Sequence, residues 1–269
     1  DLQIIGAKIG RKAIEVVAKV VAIALPKELQ AQAIVEGLTL GTYTFSKHKS
    51  EETRNKEKHI EEVSILTTPP KLNAVVAGIS RGETVSQAVM FARDLVNEPP
   101  SFTTPTHLAD VAGKLVKGHA NMSCEVFGPK EMKTLGMEAI LGIARGSDEE
   151  PRFIHLSYKG GGGKTVCLVG KGITFDTGGL SLKDSKNMET MKLDMAGAAA
   201  ILGVFSVLSV LKPEVNIVGL IAATENMPGP KAIKPGDIVR AMNGKTIEIL
   251  NTDAEGRVVL ADALSYAGA

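Results

Sequence analysis

"TVCLVGKGITFDTGGLSLKD", residues 165–184, is the stretch on which the fold turns. It opens as a short apolar run preceded by "GGGGK" and ends in "DTGG", the pattern of a buried strand bounded by turns. Charged residues are rare in such strands, yet Lys171 and Asp176 stand at its end, and something must compensate their desolvation. Working outward, helices and apolar strands alternate. The spacing predicts a helix over 105–117, a strand near 123–127, a helix over 129–136 and strands over 152–158 and 165–170. A helix over 195–211, a strand over 215–223 and a helix over 256–267 follow. That order argues an α/β domain whose mixed central sheet is covered by helices on both faces. Asn243-Gly244, between Ile238–Ala241 and Thr246–Leu250, signals a hairpin.

Upstream of this domain, residues 11–40 show helical spacing, with Ile14, Val17, Ala18, Val21, Ile34, Gly37 and Leu38 as inward faces. The charge-dense run 47–62 reads as a solvated loop before a strand at Val63–Leu66. Residues 84–97 form a helix, with Thr84 and Gln87 as a capping box. Pro99 and Pro100 end it, and Thr104-Pro105 starts the next. These breaks divide the chain into a small α/β remnant (1–71), a linking segment and helix (72–97) and a larger domain (98–269).

Composition excludes little. The 269 residues are 44% hydrophobic and 23% charged, with a net charge of +1, so nothing in the bulk favours nucleic acid or an anionic membrane. Cys124 and Cys167 lie far apart in apolar contexts and read as reduced, buried thiols. The most apolar stretch, 196–211, is shorter than a membrane span requires, and no leader pattern is present, so the chain reads as cytoplasmic. It starts without a methionine and stops inside a helix, which reads as a fragment. "GGGGKT", 160–165, lacks the first glycine of a phosphate-binding loop, since Tyr158 stands there, and it precedes a strand; it reads as a turn.

The acids carry the chemistry. Asp194 immediately precedes an apolar helix, and Asp253 and Glu255 in "NTDAEGR" (251–257) immediately precede another, so each could simply be an N-terminal cap. Together with Asp176 they place four carboxylates at strand-to-helix junctions of one domain. Converging like charges are costly unless cations sit among them. No histidine accompanies them: His48 and His59 lie in the polar loop, and His107, His119 and His155 read as packing or surface residues. An oxygen-rich set favours Mg²⁺ or Mn²⁺ by hardness, while Zn²⁺ and Co²⁺ also accept carboxylates.

"NTDAEGRVVLADAL" (251–264), "VGKGITFDTGGLSLK" (169–183) and "MKLDMAGAAA" (191–200) closely resemble the M17 leucyl aminopeptidase family. The resemblance extends through "ARDLVNEPPSFTTP" (92–105), "PRFIHLSY" (151–158) and "TENMPGPKAIKPGDI" (224–238), and more faintly through "AIVEGLTLGTYTF" (33–45). It implies a two-metal aminopeptidase that hydrolyses the N-terminal residue of peptides, leucine and other apolar residues first. Two divalent ions per subunit are implied, Mn or Zn ahead of Mg or Co, with Asp176 and Glu255 bridging them. Asp253 would complete one metal's shell, and Lys171 with Asp194 the other's, Lys171 as a neutral amine whose pKa the dications depress. Lys183 would steady the developing oxyanion, and Arg257 would hold a bicarbonate-like anion serving as general base. Lys183, Met191 and Asn251 would touch the substrate. Read without the resemblance, Lys171 is a buried ion-pair partner, Lys183 and Arg257 are surface ion pairs and Met191 is core. The resemblance further implies a homohexamer in the cytoplasm. Some bacterial members also bind DNA; net charge does not support this, although Lys47, Lys49, Arg54, Lys56 and Lys58 could form a basic patch.

Overall fold

A computed structural model describes residues 1–25 and 31–269 and separates into two units, Asp1–Phe91 and Ala92–Ala269. In the first, α1 (Leu2–Glu15) is capped by Asp1, whose carboxylate accepts the Gln3 N–H. It is followed by β1 (Val20–Ala24), α2 (Ala31–Gly41), α3 (Glu51–Asn55), β2 (Glu62–Leu66) and the long helix α4 (Leu72–Asn97), whose residues 92–97 fall in the second unit. β1 and β2 pair in parallel, with Val20 opposite Glu62. α1 and α2 approach through glycines, and a Cβ at Gly37 would come within 2.0 Å of the Gln3 carbonyl.

Several expectations for this unit need correcting. The helical spacing over 11–40 is interrupted: β-branched Val20 and Val21 pair with β2, and Val17 turns the chain at φ 58°. Its portion at residues 26–30 lies outside the described residues. The polar run 47–62 holds α3, capped by Ser50. Thr84 is interior to α4 and its hydroxyl donates to the Ser80 carbonyl (2.8 Å), so it opens no helix.

The second unit follows the expected alternation: α5 (Pro105–Val116), β3 (Met122–Phe127), α6 (Pro129–Thr134), α7 (Glu138–Ala144), β4 (Arg152–Tyr158) and β5 (Thr165–Asp176). Then come α8 (Ser185–Met188), α9 (Ala196–Leu211), β6 (Asn216–Asn226), the hairpin β7 (Ile238–Arg240) and β8 (Thr246–Glu248), and α10 (Glu255–Ala267). α7 and α8 are too short to show a period. Thr104 caps α5 by accepting the His107 N–H (3.3 Å), and Gly244, at φ 83°, closes the turn of the hairpin.

The central sheet runs β3-β4-β6-β5 and is mixed, because only β5 and β6 are parallel. Phe153, Ile173, Leu220 and Ala222 pack on one face with Ile140 and Ile143 of α7 and with Val258, Val259 and Ala263 of α10. Burying each large side chain contributes about 1.5–3 kcal/mol. α9 covers the other face so closely that a Cβ at Gly219 would lie 2.7 Å from Ile201 and Phe205. With the 3-10 turn Met191–Met195 before it, this helical stretch reaches 21 residues at mean hydropathy 1.9, enough to cross a membrane by length and composition alone. The expectation from 196–211 fell short because it omitted that turn. Packed on β5 and β6, with Lys192 and Asp194 in its first turn, the stretch is the helix of a sheet core. Cys167, expected buried, is exposed on the edge strand β5, whereas Cys124 is half-buried and its thiol is pushed up to about 11 by burial and then by Glu125.

Candidate functional site

β5 runs past its expected end and delivers both Lys171 and Asp176 to one end of the sheet. A bulge between Ile173 and Asp176 changes the register with β6, so that Asp176 faces Asn226. Gly178 and Gly179, at φ 86° and 65°, then turn the chain through positions where other residues are strained. The loop is clasped to the segment before α10. Thr252 donates its hydroxyl to the Gly178 carbonyl (2.6 Å) and accepts from the Ser181 N–H (2.7 Å), while the Ser181 hydroxyl accepts the Thr252 N–H (3.1 Å). These bonds set Lys183 against Asp253.

Capping does not explain the acids. α9 is capped at Met195 with no side-chain bond, so Asp194 is not its cap. Asn251 accepts the Asp253 N–H (2.9 Å) at the turn before α10, and neither Asp253 nor Glu255 caps that helix. The carboxylates point instead at one another: oxygens of Asp176, Asp253 and Glu255 all lie within 4.8 Å. Two ammonium groups sit among them. Lys171 Nζ is 2.7 Å from Asp194 and 2.8 Å from Glu255; Lys183 Nζ is 2.9 Å from Asp176 and also pairs with Asp253. Lys171 has room because residue 256 is glycine; a Cβ there would lie 2.7 Å from its Cε.

The charges do not balance. Each ammonium faces two carboxylates, while each carboxylate faces one ammonium. Burial pulls Lys171 down, but Asp194 and Glu255 outweigh it and hold the ammonium above the usual lysine range. Lys183 is likewise pulled down by burial and raised well above that range by Asp253 and Asp176. Burial pushes Asp194 and Glu255 up, and Lys171 only partly opposes it. Two ammonium groups stand against four carboxylates, so the cluster lacks positive charge. Asp194 Oδ2 is buried, and Lys171 is the neighbour that faces it. A hard oxygen donor set, four carboxylates against two ammonium groups, and ammonium groups standing where cations would balance the acids together fit divalent metal ions. With acids as its neighbours, Lys171 pairs with Asp194 and Glu255; coordination as a neutral amine would require a cation to displace its proton.

Lys183, Met191, Asn251 and Asp253 line one open groove of about 530 Å³, with Ser181 and Leu182, a size suited to a small ligand. Arg257 is exposed on the first turn of α10 with no ion pair among the described residues, and does not line that groove. His155 lies apart, bonded to Tyr266 and Ser157 at 3.1 Å each. In the basic run, Lys49 and Lys56 already pair with Glu57 and Glu52. Sequence reasoning passed over Asn226, Thr252, Ser181 and Gly256. Of these, Asn226 carried a signal: an amide closing an apolar strand, as Asp176 closes another.

The description "Cytosol aminopeptidase family, catalytic domain" (Peptidase_M17) matches residues 90–269. The probable cytosol aminopeptidase of Alkaliphilus metalliredigens (strain QYMF) is 43% identical over 277 residues, covering 99% of this chain and 55% of that protein. That of Roseiflexus castenholzii (strain DSM 13941 / HLO8) is 45% identical over 242 residues, covering 89% and 49%. Among solved structures, the bottromycin maturation enzyme BotP in complex with Mn is 36% identical with a TM-score of 0.85, covering 99% of this chain and 57% of that one. A tomato leucine aminopeptidase mutant is 35% identical with a TM-score of 0.86, covering 99% and 53%. The chain spans about half the length of the curated relatives it matches.

Proposed function

We propose that this chain, which belongs to the cytosol aminopeptidase family, carries the metal centre of an aminopeptidase that removes the N-terminal residue of peptides, leucine and other apolar residues foremost. The observation that carries the reading is the convergence of Asp176, Asp253 and Glu255 within 4.8 Å, with Asp194 and Lys171 beside Glu255. Asp176 and Glu255 would be shared between two ions, Asp253 would serve one, and Asp194 with Lys171 the other. Mn²⁺ or Zn²⁺ are the first candidates, ahead of Mg²⁺ and Co²⁺, and the Mn complex of BotP supports Mn²⁺ among them. When bound, such ions supply Lewis acidity toward a carbonyl oxygen and make a water nucleophilic near neutral pH.

The chain's own residues do the rest. Lys183, half-buried and donating from the groove wall, would hold the substrate carbonyl and balance negative charge developing on its oxygen. Arg257, exposed and unpaired among the described residues, would hold a bicarbonate-like anion that takes a proton from the attacking water. Met191 and Leu182 would pack against an apolar first side chain, and Asn251 would bond the peptide backbone. A homohexamer in the cytoplasm, and domain limits at 1–71, 72–97 and 98–269, belong to the same proposal. The test is hydrolysis of a leucine chromogenic amide by the full-length protein, metal-stripped and then resupplied with Mn²⁺, Zn²⁺, Mg²⁺ or Co²⁺, beside an Asp253→Ala, Glu255→Ala double variant. Metal-dependent cleavage absent from the variant is expected. Cleavage that survives both chelation and the double substitution would overturn the reading.

A further inference from the structure

We propose that Asn226 is a positioning residue for the two shared carboxylates, so that the β5–β6 register, through this amide, sets how tightly metal is held. The inference rests on the metal-centre reading above. Asn226 is 1% exposed, and its Nδ2 faces three oxygens: Asp176 Oδ1 at 2.8 Å, the Thr252 carbonyl at 3.1 Å and Glu255 Oε2 at a longer 3.5 Å. An amide has two N–H groups to give, and the three oxygens fix which way it is turned. Its backbone is tied as well, because the Asn226 carbonyl accepts the Thr177 N–H (3.0 Å) and hydroxyl (2.8 Å).

The oxygens it holds are the complementary set to those the lysines hold. Asp176 Oδ1 is taken by Asn226 and by the Gly178 N–H (2.9 Å), while Oδ2 faces Lys183. Glu255 Oε2 faces Asn226, while Oε1 faces Lys171. Neutral donors thus pin the back of each shared carboxylate, and the front is left to positive charge. A carboxylate pinned on one oxygen has its plane fixed, so less rotational freedom is lost when the other oxygen binds a cation. The bulge is what makes this geometry available. Without it, the register that runs from Thr165 to Ile173 would set Met227 opposite Asp176, and a thioether offers no N–H.

The experiment titrates Mn²⁺ into the metal-free, full-length protein and follows the free-ion electron paramagnetic resonance signal, comparing wild type with Asn226→Ala and Asn226→Ser. Apo-state unfolding temperatures are recorded in parallel, with Ile221→Val on the same strand as a packing control. The Mn²⁺ dissociation constant is expected to rise about 10- to 100-fold in both Asn226 variants and to stay unchanged in the control. An unchanged constant in a folded Asn226 variant overturns the inference, whatever its unfolding temperature. Failure of both variants to fold overturns it too, since the side chain would then support the fold and not the site. If wild type itself retains no Mn²⁺, the metal-centre reading fails first, and the inference with it.

Discussion

Replacing Gly256 with alanine separates the stability of α10 from the geometry of the site. The new Cβ would lie 2.7 Å from Lys171 Cε and 2.8 Å from Nζ. Carbon–carbon contact is comfortable near 3.5–4.0 Å, so the end of the lysine must retreat by roughly 1 Å. Its ammonium now stands 2.7 Å from Asp194 and 2.8 Å from Glu255. A retreat of that size takes both contacts beyond about 3.5 Å, where a hydrogen bond is lost. The helix itself gains: alanine in place of glycine is worth about 0.8–1 kcal/mol in a helix interior, somewhat less in a first turn. Against this stands the weakening of two ion pairs whose acids are largely buried, a larger loss because the carboxylates cannot turn to water instead. Net stability should therefore fall, by about 1–3 kcal/mol, several degrees in unfolding temperature. Metal binding and turnover should not escape, because displacing a ligand-bearing group by about 1 Å costs on the order of 100-fold in rate. Calorimetry on the metal-free protein, followed by leucine-amide hydrolysis at saturating Mn²⁺, reads both quantities. Turnover within threefold of wild type would refute the argument that Lys171 must sit where it does.

Other expectations follow from the same contacts. Lys183→Met should keep Mn²⁺ binding and lower kcat/KM by about 100- to 1,000-fold, as for loss of an oxyanion donor; unchanged kcat/KM would remove Lys183 from the chemistry. Thr252→Val keeps the shape but orphans the Gly178 carbonyl and the Ser181 N–H, so it should cost about 2–4 kcal/mol in denaturant titration. Asp262 is fully buried and accepts the N–H groups of Ile140 (2.9 Å) and Met242 (2.8 Å), so Asp262→Asn should cost about 1–3 kcal/mol. Burial raises the folded pKa of Asp262 above the ordinary carboxylate value, so the folded state takes up its proton first as pH falls. Between that raised value and about 3.9, acidification therefore favours wild type over Asp262→Asn, and a gap in unfolding temperature that narrowed instead would contradict this sign. Chelation should lower the unfolding temperature of the wild type; at a metal concentration 100 times Kd the bound ion contributes about 2.7 kcal/mol.

Much of the fold was legible because local periodicity and tertiary burial coincide in the second unit. β4 falls on 152–158 as read, and the turn at Gly244 and the Thr104 cap of α5 are where local chemistry places them. Legibility failed where pairing overrode pattern. Val20 and Val21 continue a helical spacing, yet hydrogen-bond to β2 from more than forty residues away. Thr84 resembles a cap, yet the helix beginning at Leu72 runs through it.

Lys171 and Asp176 stood out in the sequence through the desolvation cost of charge at the end of an apolar strand, and Asp194, Asp253 and Glu255 through their place at strand-to-helix junctions, whereas Lys183 and Arg257 came only with the family resemblance. Whether those acids cap helices or face one another was not visible, since both arrangements use the same residues at the same spacing. The register of β5 on β6 decided it. One bulge sets Asn226 against Asp176, two glycines with positive φ fold the loop back, and Thr252 clasps it beside Asp253. The Asp176–Asn226 and Gly178–Thr252 contacts join residues 50 and 74 positions apart in the chain. No local pattern encodes such distances; only the assembled sheet, with buried polar groups seeking partners, selects among them.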